Sequence, residues 1–160
     1  MTTDRATTRP GMVLLVGAAL VTGGTFLTWT RLPGNFPPDP SGYFPRAGID
    51  TFRGKAVLFL GVAMSALGIL AALRTPEVSL YRGPIGMAAC LASISVILLL
   101  LMHASFLRST REPLSGSAAS EVLELQTGWG MAVSLLGALA ALWGGYRTIR
   151  PKGISEPVAA

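Results

Sequence analysis

One histidine and a few carboxylates are the side chains in this 160-residue chain whose type and placement suggest chemistry. His103 stands near the end of a long apolar run, and Asp50, Glu121 and Glu124 stand in polar stretches that the apolar pattern assigns to the same side of a membrane. A histidine at such a depth beside carboxylates can relay a proton or begin a metal site. A metal site needs three or four ligands, and no second histidine supplies one, so no metal is expected. Each residue also has a plain structural use. An imidazole near a helix end can bond a loop carbonyl. Glu121 and Glu124 are three apart just ahead of a helix, where negative charge suits the macrodipole. Asp50 reads as the N-cap of the second helix. These structural uses are the simpler expectation, so no catalytic residue is assigned.

Other reactive patterns are missing from the sequence. Cys90 is the single cysteine, set inside an apolar run, where it reads as a packing residue and cannot form an intramolecular disulfide. No phosphate-cradling glycine loop, serine nucleophile elbow or HExxH occurs. Gly128-Trp129-Gly130 is too short and apolar for a nucleotide motif. No cofactor is expected.

The elements that must position these residues are apolar. Hydrophobic residues make up 51% of the chain and charged residues 13%. A water-facing domain carries roughly 25% charged residues, so lipid is the simpler cover. Four runs stand out: Met12–Trp29, Ala56–Leu73, Pro84–Leu107 and Gly128–Tyr146. Each approaches or exceeds the ~20 residues needed to cross the hydrocarbon core as a helix. None carries Asp, Glu, Lys or Arg in its interior. A soluble helix would show charges every third or fourth residue. The chain therefore reads as one all-α membrane domain over 1–160, a bundle of four transmembrane helices.

The connections add detail. After the first run the chain continues Phe26-Leu27-Thr28-Trp29, too bulky for a cleavage site, so that helix is expected to be retained with Trp29 at the interface. Residues 30–55 form an external loop punctuated by Pro33, Pro37, Pro38, Pro40 and Pro45, where helix is not expected. The net charge of +5 is scattered along the connections. Scattered basic residues anchor helix ends at headgroups; they do not form the dense face that nucleic acid requires. Arg5, Arg9, Arg74, Arg82, Arg147, Arg150 and Lys152 fall on one side, against Arg31, Arg46, Arg53, Lys55, Arg108 and Arg111 on the other. This majority favours both termini in the cytoplasm of a multi-pass cell-membrane protein.

A self-similarity at an offset of 76 residues suggests two parallel two-helix repeats. Thr51, Gly54, Ala56, Val57, Leu60 and Gly61 lie over Thr127, Gly130, Ala132, Val133, Leu136 and Gly137. Gly54, Gly61 and Gly68 are seven apart, as are Gly130, Gly137 and Gly144, so each trio shares one helix face. Small faces allow the close packing on which helix association in lipid depends. Helices two and four are expected to meet each other, or their neighbours, along these seams.

The exit Trp29-Thr30-Arg31-Leu32-Pro33-Gly34 and the entry Gly48-Ile49-Asp50 through Gly54-Lys55 resemble those of small four-span membrane proteins of actinobacteria. That resemblance implies the fold and no particular reaction. The expected function is that of a non-enzymatic structural or accessory membrane protein, packing in the lipid bilayer against other membrane subunits or itself. The alternative is a small transporter or channel component built from the two-helix repeat.

Overall fold

A computed structural model describes residues 5–31, 46–73, 80–109 and 126–149. Glu121, Glu124 and the proline cluster lie outside the described residues. Four helices dominate: α1 (Arg5–Gly24), α2 (Phe52–Ala72), α3 (Arg82–Ser109) and α4 (Trp129–Ile149). Three are long and apolar enough to cross a membrane: α2, the Arg82–Leu107 part of α3, and α4. The apolar part of α1, Pro10–Gly24, is shorter.

The helices run up and down in a ring. Gly11 of α1 meets Ala71 and Ala72 of α2, while Gly61 of α2 meets Thr22 at the other end of α1. The same reversal relates α1 to α4, where Gly17 faces Ala141 and Gly24 faces Ser134. α3 packs against both α2 and α4, leaving α1 opposite α3 and α2 opposite α4. Leu14, Val21, Val57, Met64, Val96 and Ala138 belong to the one core cluster that fills the centre.

The first helix ends at Gly24 and not at Trp29. Three successive amides, of Thr25, Phe26 and Leu27, bond three residues back to the carbonyls of Thr22, Gly23 and Gly24. Such i→i−3 bonds tighten and finish a helix end. The Thr25 hydroxyl adds a 2.7 Å bond to the Thr22 carbonyl, which competes with further helix. The chain then turns extended.

That extension builds a sheet the apolar pattern did not announce. Strand β1 (Thr28–Arg31) lies between β2 (Arg46–Ala47) and β3 (Gln126–Thr127), both antiparallel to it. Thr28 pairs with Ala47 and Thr30 with Arg46, the register shifting between them, and Thr30 pairs with Thr127 on the other edge. Strands this short stand only because they pack on the helices. They tie both long connections across one end of the bundle, called here the sheet end.

The cap of α2 differs from expectation. Its N-cap is Thr51, whose hydroxyl accepts the Gly54 amide at 2.9 Å. Asp50 sits one residue too early. It closes the 3-10 turn Gly48–Asp50, its carboxylate accepting the Ala47 amide at 3.1 Å. The Thr51 hydroxyl in turn donates to the Gly48 carbonyl. The turn therefore locks to the helix start before the helix begins.

Candidate functional site

The site begins with Trp29, which is wholly buried beneath the sheet end. Its indole N–H donates to the Gly24 carbonyl at 2.9 Å, joining the Leu27 amide on that oxygen at the end of α1. The ring rests on two glycines. A Cβ at Gly48 would strike the indole, and one at Gly130 would lie 2.7 Å from Trp29 Cδ1. The Trp29 carbonyl accepts the Gly128 amide at 2.8 Å. One tryptophan thus joins α1, the 3-10 turn and the start of α4.

His103 completes the contact from α3. Its ring meets Trp29 edge to face, with centroids 5.4 Å apart and planes at 64°. That arrangement lies within the favoured range for aromatic pairs. His103 is 6% exposed, and its Nε2 is buried with no hydrogen-bond partner among the described residues. Arg53 of α2 stacks its guanidinium 5.1 Å over the Phe106 ring, one turn along α3 from His103. Asp50 is exposed and engaged with Ala47. The three carboxylates that could serve the imidazole are therefore not seen beside it: Asp50 is committed to the Ala47 amide, and Glu121 and Glu124 are not described. Among the described residues no group of three or more His, Cys, Asp and Glu side chains could hold a metal.

What surrounds the imidazole is an aromatic packing contact. A buried polar atom left unpaired costs about 1–3 kcal/mol, and replacing it with an apolar group of like shape removes that cost. His103→Phe is expected to leave thermal stability in detergent unchanged or raise it, since a phenyl keeps the edge contact with Trp29. A clear loss of stability would mean that the imidazole makes a polar interaction central to the fold.

Each of the six seam glycines lies against a close neighbour. Gly61 meets Thr22 and Val21, and Gly68 meets Leu15. Gly137 meets Gly17 and Val21, and Gly144 meets Leu14. Gly130 meets the Gly24 carbonyl, while Gly54 admits the carbonyl of Gly48 in the 3-10 turn. Five of the six thus face α1 or its exit, and Gly54 faces the 3-10 turn that leads into its own helix. A two-fold axis exchanging the halves would instead turn the second trio toward α3. The residue facing α3 is Gly145, which lies against Cys90 and Gly86.

Sequence reasoning missed Trp29 as a core residue, because an aromatic at the end of an apolar run reads as interfacial. The available signal was Gly23-Gly24 five residues ahead, which shortens the helix. It also missed α1 as the shared partner of both seams, although Gly11, Gly17 and Gly24 recur every six or seven residues. At the opposite end, Trp143, Tyr146 and Arg147 stack on the exposed side of α4, with Arg147 5.0 Å over the Trp143 ring. Comparisons with protein-family models, curated proteins and solved structures gave no match.

Proposed function

We propose that this chain is a four-helix integral membrane protein of the cell membrane, acting as a non-enzymatic accessory subunit that packs against other membrane subunits. The supporting observation is how the protein uses its polar groups. Within the helices, Ser65, Ser93, Ser95 and Thr148 each donate to the carbonyl four residues back, at 2.8–3.0 Å. Hydroxyls turned onto their own helix are not presented to a solute. Between the helices lie Leu14, Met64, Val96 and Ala138, a filled apolar axis that favours a packing role over transport. Outward, α2 and α3 present Phe59, Ile69, Leu91 and Leu98, the kind of surface that lipid or a partner helix covers. With both termini cytoplasmic, the sheet end faces outside the cell.

Purification of the tagged, full-length protein in mild detergent, followed by native mass determination, tests this reading. A stoichiometric complex with a second membrane protein is the expected result. A bare monomer retaining no protein would overturn it.

A further inference from the structure

A crevice of about 380 Å³ opens between α3 and α4 near the sheet end. Its floor is Leu100 and Met131, which are nearly buried, and its sides are Ala104, Gly128 and Ala132, with Trp129 at the mouth. The crevice exists because of how α4 begins. The Gly128 amide is bonded to the Trp29 carbonyl, drawing the first turn of α4 toward β1. α3 continues to Ser109 alongside, and the alanines between them do not fill the gap.

We infer that this crevice binds one acyl chain of a bilayer phospholipid, an inference that rests on the membrane reading above. Three features select that occupant. Leu100 and Ala104 lie inside the Arg82–Leu107 span, so the crevice opens at a depth where the bilayer supplies hydrocarbon. Apart from Thr127, its lining side chains are apolar or glycine, which offers a ligand dispersion contacts and few hydrogen bonds. Trp129 is 73% exposed at the mouth, placing an amphipathic ring where chain meets headgroup. A single hydrocarbon chain lying in it touches α3 and α4 at once, where annular lipid touches one helix.

The test reconstitutes the full chain with a phospholipid carrying a photoreactive diazirine in one acyl chain, and maps the cross-links by peptide mass. Labelling over 100–104 and 129–135 is expected to exceed that at Phe59 and Ile69, on the open face of α2, several-fold. Ala132→Phe, at an exposed position that the ring can fill without disturbing the core, is expected to reduce crevice labelling to the α2 level while thermal unfolding is unchanged. Equal labelling of the crevice and of α2 in the unaltered chain would mean annular lipid only and would overturn the inference. Failure to enter vesicles, with α2 unlabelled as well, would overturn the membrane reading with it.

Discussion

Gly17→Ala should cost the protein about 3 kcal/mol or more of stability, the upper end of what overpacking a tight core costs, while Gly23→Ala should cost nothing. The two substitutions add the same methyl group to the same helix. At Gly17 it would lie 2.5 Å from the Ala141 amide nitrogen, 2.6 Å from the Gly137 carbonyl oxygen and 2.9 Å from Ala141 Cα. All three are backbone atoms, so no rotamer change relieves the clash and α1 must move away from α4. That displacement also loosens Gly137 against Val21 and Gly144 against Leu14, because one seam carries all three contacts. At Gly23 nothing lies within 4 Å, and removing a glycine from a helix gains up to about 1 kcal/mol in propensity. Unfolding in mixed micelles of mild detergent and dodecyl sulfate, followed by helicity, measures both. Equal stability for the two variants would refute the close approach of α1 and α4.

The second large effect belongs to Trp29. Trp29→Ala empties the largest fully buried side chain at the sheet end, a change that costs about 3–5 kcal/mol in packed cores. It also takes the indole N–H away from the Gly24 carbonyl, which keeps only the Leu27 amide. Trp29→Phe separates the two losses: most of the ring volume stays filled, and only the hydrogen bond goes, at about 1 kcal/mol, because the Gly24 carbonyl keeps the Leu27 amide. Trp129→Ala and Trp143→Ala serve as controls, since both rings are exposed and such changes rarely move stability beyond about 0.5 kcal/mol. The expected order of unfolding midpoints has the two controls near the unaltered protein, then Trp29→Phe, then Trp29→Ala. If Trp29→Ala matched the controls, the tryptophan would be interfacial after all.

The sequence revealed the helices far better than their ends. Apolar runs uninterrupted by charge leave few alternatives to helix, and α2, α3 and α4 lie where hydropathy put them. Boundaries depended on local bonds that hydropathy does not see. Thr51 begins α2 because its hydroxyl reaches the Gly54 amide, a choice between neighbours Asp50 and Thr51 that either could fill by residue type. Trp29 looked interfacial because burial of an aromatic at a helix end depends on what folds against it, and Gly48, Gly130 and His103 come from other parts of the chain.

The site was legible in part. Glycines seven apart announced close packing, since a face without side chains has few other uses in lipid. Their partner was not announced, because spacing fixes the face of a helix and not its neighbour. His103 stood out as the single histidine, near the end of an apolar run. That it meets an indole edge follows from β1, an element the apolar pattern did not contain.

The central claim is that the helices enclose a dry, filled interior within the membrane. Single cysteines placed in a Cys90→Ala background, at Ser93 and Ser134 in the core and at Ala47 and Lys55 by the sheet end, test it in intact vesicles with a membrane-impermeant thiol reagent. The account predicts labelling at 47 and 55 from one side only, and none at 93 or 134 from either side. Labelling at 93 or 134 by the impermeant reagent would reveal a water-filled path through the bundle and contradict it.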